Sequence, residues 1–205
     1  IAVTGSNGKT TTKEMLAAIM AQVTGQPAQV LATAGNFNND IGMPLTLLRL
    51  QPSHRYAVIE MGMNHLGEID YLTRLARPDV ALIINAGTAH IGELGSRENI
   101  AKAKGEIFAG LGDEGIAVIN ADSDFADYWR SLNVGRRMMT FAMHSAADVR
   151  GQTQADGLQL SYQGQHISVT LAVPGEHNQM NALAAATAAL AAGASLAQVR
   201  AGLQA

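Results

Sequence analysis

Short apolar, β-branched runs alternate along the chain with longer segments in which apolar residues recur every three or four positions. The short runs predict strands at residues 1–4, 56–60, 80–85, 116–120 and 138–142, and a further strand at 29–32. The longer segments predict helices at residues 10–23, 44–50, 66–76, 98–110 and 125–132. This alternation predicts an α/β fold, with a mostly parallel sheet that has right-handed crossovers and helices on both faces.

The pattern changes after about residue 145. Three short segments at residues 149–153, 158–162 and 166–172 are separated by the turn-forming pairs Asp156-Gly157 and Gln163-Gly164. They predict a small antiparallel β meander near residues 148–172. An alanine-rich helix at 178–192 and a last helix at 196–202 are expected to follow it.

A glycine-rich turn, Thr4-Gly5-Ser6-Asn7-Gly8-Lys9-Thr10-Thr11, joins the first strand to the first helix, and we call residues 4–11 the phosphate loop. Such a turn directs backbone N–H groups and the positive end of the helix toward one point, which suits a polyphosphate. Lys9 adds a cation for the β and γ phosphates, and Thr10 adds a hydroxyl for Mg²⁺. The order of strand, GKT turn and helix therefore predicts a P-loop sheet.

The spacing departs from the general GxxxxGK[ST] pattern, because Gly5 lies only three residues before Gly8. The alternative is an ordinary Gly-Asn turn capped by threonine. An ordinary turn would not explain why a lysine lies beside the positive end of the helix, where a second positive charge is unfavourable.

Two further candidates lie at the ends of predicted strands. Glu60 ends the run 56–59, at the carboxyl edge where open α/β sheets bind ligands, and its oxygens suit Mg²⁺. A solvated glutamate at a strand end fits the same pattern equally well. His90 follows the strand at 80–85 and should face the same edge, although a lone loop histidine is more often a surface residue.

Other polar positions also have two interpretations. Lys104 and its neighbour Lys102 lie on a predicted helix whose polar face would ordinarily carry solvated charge pairs. Residues 35–40 are dense in turn formers and could simply cap the next helix. Asn178 could be the N-cap of the alanine-rich helix, and Asn181, three residues on, would share its face.

Composition narrows the class of protein. The chain has 205 residues, of which 47% are hydrophobic and 15% charged, as expected for one soluble globular domain. A net charge of -3 and a pI near 6.1 provide no basic surface for nucleic acid. No apolar run reaches the ~18 residues that a membrane span needs. The absence of cysteine fits a reducing compartment, and we expect a cytoplasmic protein.

The phosphate loop resembles the ATP loop of the Mur ligase family, the cytoplasmic ATP-dependent amide ligases of peptidoglycan assembly. Three further stretches share the resemblance: GNFNNDIGMPLTLL from Gly35, IEMGMNHLGEI from Ile59 and PGEHNQMNALAA from Pro174. The resemblance covers essentially the whole chain and is strongest to the members that add D-Ala-D-Ala to UDP-MurNAc-tripeptide. It implies that residues 1–205 are the central ATPase domain of a three-domain monomeric enzyme. The UDP-substrate domain and the Rossmann-like domain would lie outside it, and the chain alone would be inactive.

The resemblance also implies a chemistry, in which the γ-phosphate of ATP moves to a substrate carboxylate and an amine then displaces phosphate to form an amide. Lys9, Glu60, His90 and Lys104 are then the expected catalytic residues. Thr10 and Glu60 would ligate one Mg²⁺, and His90 and a carbamylated Lys104 a second, with Lys102 as the competing candidate for the modified lysine. The implied nucleotide-binding residues are Gly5, Ser6, Asn7, Gly8, Lys9, Thr10 and Thr11, with Asn178 and Asn181 at the adenine or ribose. The segment at 35–40 would lie beside the γ-phosphate and the acyl substrate, where Asn36 and Asn39 could donate their side-chain amides; which asparagine contacts the substrate stays open.

Three alternatives remain open. Another Mur-type ligase or a folylpolyglutamate synthase-like amide ligase would share the GKT loop and the HNxxN-like segment. A P-loop kinase or GTPase would share only the loop, and the chain lacks the guanine-reading NKxD motif. A non-enzymatic binding module would not need Lys9.

Overall fold

The fold is known from a computed structural model that describes residues 1–89 and 91–205. Within these residues nine strands form one sheet in the order β2-β3-β1-β4-β5-β6-β7-β8-β9. The strands are β1 (Ala2–Thr4), β2 (Val30–Ala32), β3 (Tyr56–Glu60), β4 (Val80–Ile83), β5 (Ile116–Asn120), β6 (Arg137–Ala142), β7 (Val149–Gln154), β8 (Gly157–Tyr162) and β9 (Gln165–Thr170). Pairing is parallel from β2 through β7 and antiparallel from β7 to β9. The predicted α/β class and the meander are confirmed.

Helices connect these strands. They are α1 (Lys9–Thr24), α2 (Gly42–Leu47), α3 (Glu68–Ala76), α4 (Ile91–Leu94), α5 (Arg97–Gly105), α6 (Ala126–Ser131), α7 (Glu176–Ala191) and α8 (Leu196–Leu203). Short 3₁₀ helices occur at Pro27–Gln29 and Glu106–Gly110.

The predicted helix at 98–110 is divided, because α5 ends at Gly105 and the chain continues as a 3₁₀ helix. Glycine is a weak helix former. In addition, the Glu106 carboxylate accepts hydrogen bonds from the N–H groups of Gly67 and Asp70 at the start of α3 (2.8 and 3.2 Å). A tertiary contact thus fixes the tighter turn. Helix α4 was not predicted, since four residues are too few to show a helical period.

The sheet is buried on both faces. Val3, Leu82 and Val118 belong to the core that contains α1, α7 and α8. Their neighbours Ala2 and Ala117 face the second core, with α3 and α5. Successive strand residues point to opposite faces, so both cores draw on the same continuous apolar runs. The expected helices on both faces are therefore confirmed.

The meander extends the main sheet and is not a separate unit. Strand β7 pairs in parallel with β6 at only two positions, Phe141 with Val149 and Ala142 with Arg150. The connection before β7 is held by Asp122, whose carboxylate accepts hydrogen bonds from the N–H groups of Met143 and Ser145 (2.6 and 2.7 Å).

Helix α1 packs against α7 and α8. The contact with α8 is close, because a Cβ on Gly202 would clash with the backbone of Ile19. Since α1 begins at Lys9, within the phosphate loop, this packing fixes the helix whose first turn belongs to the loop. Among the described residues, no helix combines the length and the apolar character needed to cross a bilayer.

Gly202→Ala tests this close contact. Helix propensity alone predicts that the substitution stabilises α8 by about 1 kcal/mol. We expect the opposite sign, a loss of about 1–3 kcal/mol in the free energy of unfolding, because the methyl group meets backbone that cannot move aside. Chemical denaturation measures the difference. Gly112→Ala is the matched control, because its Cβ meets no atom within 4 Å, and we expect a change within about 0.5 kcal/mol. Stabilisation by Gly202→Ala would show that the helices can separate.

Candidate functional site

The carboxyl ends of three neighbouring strands meet at one edge of the sheet. Strand β1 lies between β3 and β4, and the phosphate loop, Glu60 and residues 84–89 follow or end these strands. The hydroxyl of Thr10 donates a hydrogen bond to Glu60 Oε2 (3.0 Å). The structure therefore brings together two of the predicted metal ligands.

The phosphate loop leads into α1 through Gly8, which has a φ of +80°. A side chain at Gly8 would also clash with Asn181 Oδ1, so this position requires glycine for conformation and for space. The backbone N–H groups of Lys9, Thr10 and Thr11 donate to no group in the described part of the chain. Such free donors at a helix N-terminus attract anions.

Lys9 is folded back over the loop. Its ammonium group donates to the carbonyl oxygen of Gly5 (2.9 Å). Burial lowers the pKa of Lys9, and the nearby charge of Glu60 partly offsets that effect. The charged amine is therefore poorly solvated where it stands, and an anion beside it would favour the protonated form.

Glu60 is almost fully buried, with 1% of its surface exposed. Besides the bond from Thr10, its Oε1 accepts a hydrogen bond from Asn38 Nδ2 (2.7 Å). Its backbone N–H donates to Thr33 Oγ1 (2.9 Å). Neutral donors thus hold the carboxylate and leave it able to bind a cation.

Asn38 is a site residue that the sequence did not single out. The predicted residues of this segment were Asn36 and Asn39. Asn39 Oδ1 instead accepts hydrogen bonds from the N–H groups of Ile41 and Gly42 at the start of α2 (3.3 and 2.8 Å). Asn36 is exposed on the loop. A role for Asn36 or Asn39 in substrate binding stays a prediction.

Lys104 on α5 is buried, with 2% of its surface exposed, whereas Lys102 is exposed. Burial, together with a smaller effect of the positive charge of Lys9, lowers the pKa of Lys104 to about 7. Of the two candidates, Lys104 is therefore the one electrostatically coupled to the phosphate loop. His90 lies outside the described residues.

A cavity of about 560 Å³ adjoins the phosphate loop. It is lined by Asn7, Gly8, Thr11, Asn85, His177, Asn178, Met180 and Asn181. Its volume is in the range of small-ligand pockets. Asn178 is not the N-cap of α7; it lies inside the helix and its side chain donates to the carbonyl oxygen of Pro174 (3.0 Å).

The donor set at Glu60 fits Mg²⁺. Three or more His, Cys, Asp or Glu side chains do not converge anywhere in residues 1–89 and 91–205. Glu60 and Thr10 offer hard oxygen donors at this edge of the sheet. Mg²⁺ is usually bound through one or two carboxylates together with substrate phosphates and water, so this donor set is compatible with Mg²⁺ beside a polyphosphate.

Residues 3–189 match the family described as the Mur ligase middle domain. The chain belongs to this family. It is 45% identical over 206 residues to the UDP-N-acetylmuramoyl-tripeptide–D-alanyl-D-alanine ligase of Haemophilus influenzae. The alignment covers 100% of this chain and 45% of the relative.

Solved structures of Mur ligases share the fold. MurF from Acinetobacter baumannii matches with a TM-score of 0.91 and 42% identity, over 99% of this chain and 45% of that one. A MurF ligase from Thermotoga maritima, solved in complex with ADP, matches with a TM-score of 0.80 and 27% identity, over 97% of this chain and 47% of that one. The chain thus spans about half the length of these relatives.

The lowered pKa of Lys104 makes stability depend on pH. Between about pH 7 and the ordinary lysine value of 10.5, the unfolded chain binds one proton more than the folded protein at this position. The free energy of unfolding should therefore rise with pH across this window by about 1.4 kcal/mol per unit, and Lys104→Met should lack this rise. Denaturation in CO₂-free buffer from pH 6.5 to 9.5 measures it. Lys102→Met is the control, and its free energy of unfolding should depend on pH as that of the unmodified protein does. If the free energy of unfolding of Lys104→Met rose with pH as steeply as that of the unmodified protein, the lowered pKa of Lys104 would be contradicted.

Proposed function

We propose that the chain is the central ATP-binding domain of a three-domain ligase that joins UDP-MurNAc-tripeptide to D-Ala-D-Ala. The observation that carries this proposal is the hydrogen bond from Thr10 to Glu60, which unites a phosphate loop and a buried carboxylate beside a nucleoside-sized cavity. Relatives named as UDP-N-acetylmuramoyl-tripeptide–D-alanyl-D-alanine ligases, at 45% and 44% identity, support this substrate pair. The ADP in the Thermotoga maritima structure supports the nucleotide.

Different residues of this chain bind different parts of ATP. The free N–H groups at the start of α1 bind the phosphates, and Lys9 turns from the carbonyl of Gly5 toward them. Asn178 and Asn181 line the cavity on the nucleoside side. Thr10 and Glu60 would hold Mg²⁺, which would neutralise charge on the phosphate oxygens.

The proposed reaction proceeds in two displacements. A carboxylate oxygen of the tripeptide attacks the γ-phosphorus, and the bond to the β–γ bridging oxygen breaks, giving an acyl phosphate and ADP. The amine of D-Ala-D-Ala then attacks the acyl carbon, loses a proton, and expels phosphate as the amide forms. Because the enzyme contributes no covalent step, catalysis consists of alignment and charge neutralisation, to which Lys9 contributes its positive charge.

We also propose that Lys104 carries a carbamate. A neutral lysine amine attacks the carbon of CO₂, forms an N–C bond and releases a proton, whereas a protonated amine cannot react. With a pKa of about 7, Lys104 has a large neutral fraction at neutral pH. Lys9, which disfavours the ammonium form of Lys104, would stabilise the carbamate anion. That anion would provide oxygen ligands for a second Mg²⁺ together with His90.

We propose that the enzyme is a cytoplasmic monomer; the cytoplasmic location follows from its proposed substrates, because ATP and UDP-linked precursors are cytoplasmic. We expect the isolated chain to be inactive, because the UDP-substrate and amine-binding parts would lie in the other two domains.

The full-length enzyme tests the main proposal. ADP release in the presence of UDP-MurNAc-tripeptide should depend on D-Ala-D-Ala, and Lys9→Ala should lower the rate by roughly a hundredfold or more through loss of charge neutralisation. The matched control Lys102→Ala removes an exposed lysine and should stay near the unmodified rate. Stimulation by glutamate or diaminopimelate in place of D-Ala-D-Ala would instead favour a folylpolyglutamate synthase-like or another Mur-type ligase. A strict preference for GTP would favour a different P-loop class.

¹³C NMR tests the carbamate. With ¹³C-bicarbonate at pH 8, we expect one carbamate carbon signal in the full-length enzyme, because deprotonated Lys104 can react with CO₂. Lys104→Met should abolish the signal, and Lys102→Met should retain it. A signal that survives Lys104→Met, or that disappears with Lys102→Met, would assign the modification to another lysine.

A further inference from the structure

One side chain in the loop after β4 is bonded to three backbone groups of the phosphate loop. Asn85 Oδ1 accepts hydrogen bonds from the N–H groups of Ser6 (2.9 Å) and Asn7 (3.0 Å). Asn85 Nδ2 donates to the carbonyl oxygen of Asn7 (3.1 Å). The two segments are 78 residues apart in sequence, so these bonds tie distant parts of the chain together.

The two loops share further bonds. The N–H of Ser6 also approaches the backbone carbonyl of Asn85 (3.2 Å), and the N–H of Gly87 donates to Ser6 Oγ (2.9 Å). Asn85 itself follows Ile84, whose carbonyl oxygen accepts a hydrogen bond from Asn120 Nδ2 on β5 (2.9 Å). Asn85 therefore projects from a segment that is fixed to the sheet, and it can hold the phosphate loop in one conformation.

This arrangement divides the backbone donors of the phosphate loop into two groups. The N–H groups of Ser6 and Asn7 already donate to Asn85. The N–H groups of residues 8–11 donate to no described group, and they lie at the start of the 16-residue helix α1. Only the second group is free to bind an anion without first breaking a hydrogen bond.

We propose that Asn85 is a positioning residue, which holds Ser6 and Asn7 so that the polyphosphate is bound by the backbone N–H groups of residues 8–11. This inference rests on the proposed function, since it assumes that the loop binds ATP. The family resemblance implied that Ser6 and Asn7 also bind the nucleotide, whereas this proposal removes their N–H groups from the phosphate contacts.

The amide suits this task because it offers an acceptor and a donor at once. A carboxylate would accept from the two N–H groups but could not donate to the carbonyl of Asn7, and it would add negative charge near the phosphates. Because the loop is ordered when the protein folds, the entropy of ordering it does not weaken nucleotide binding.

Calorimetry with Mg–ADP on the full-length enzyme tests the proposal. We expect Asn85→Ala to raise the Kd for Mg–ADP and the KM for ATP about tenfold, the effect of a few lost hydrogen bonds, with the KM for D-Ala-D-Ala unchanged. The matched control is Asn133→Ala. The side chain of Asn133 is buried, donates to Trp129 and accepts from Arg136, so its loss should lower the Tm while Kd stays within about twofold.

Residue-resolved amide hydrogen exchange on the unmodified enzyme gives a second measurement that needs no variant. We expect the amides of Ser6 and Asn7 to be protected from exchange before nucleotide is added. Within the phosphate loop, we expect Mg–ADP to add protection only at residues 8–11. Added protection at Ser6 and Asn7 on binding, or a normal Kd in Asn85→Ala, would overturn the proposal. If Lys9→Ala loses binding while Asn85→Ala binds normally, only this inference fails. If the unmodified enzyme does not bind Mg–ADP, the proposed function fails as well.

Discussion

The parallel register of β1 with its two neighbours is the constraint on which the site depends. Val3 lies opposite Glu60 on β3, and Thr4 lies opposite Ile83 on β4. The phosphate loop therefore starts level with the carboxylate, and Thr10, within the first turn of α1, can reach it. A register shift of one residue would turn Glu60 to the other face of the sheet, because strand side chains alternate.

Positive charge is concentrated around the phosphate loop. Lys9 and Lys104 both have lowered pKa values, chiefly because they are buried, and the positive end of α1 adds to the same field. Glu60 is the buried carboxylate that opposes them. A polyphosphate would favour the protonated form of Lys9, so part of the cost of burying these amines would be recovered on binding.

Sequence reasoning predicted the features that depend on local pattern. Strands Tyr56–Glu60 and Ile116–Asn120 have the expected bounds, and the pairing of Thr10 with Glu60 follows from the rule that strand ends share one edge. Lys104 could also have been separated from Lys102. It lies four residues after the buried Ile100, on the apolar face of α5.

The contacts of Asn38 and Asn85 could not have been predicted in the same way, because sequence patterns identify an asparagine in a loop only as a turn former. The path of the backbone decides which of several neighbouring asparagines reaches Glu60. Asn85 reaches the phosphate loop only because β4 lies beside β1 in the folded sheet, although Asn85 and Asn7 are 78 residues apart in the chain.

Two helices from opposite ends of the chain present their N-termini to one cavity. Helix α1 contributes free N–H groups, and α7 contributes Asn178 and Asn181. They meet where Asn181 lies against Gly8. That glycine is required twice, since its positive φ starts α1 and its missing side chain leaves room for Asn181. The geometry at the phosphates is therefore linked to the geometry on the nucleoside side, and a substitution at this single position would disturb both.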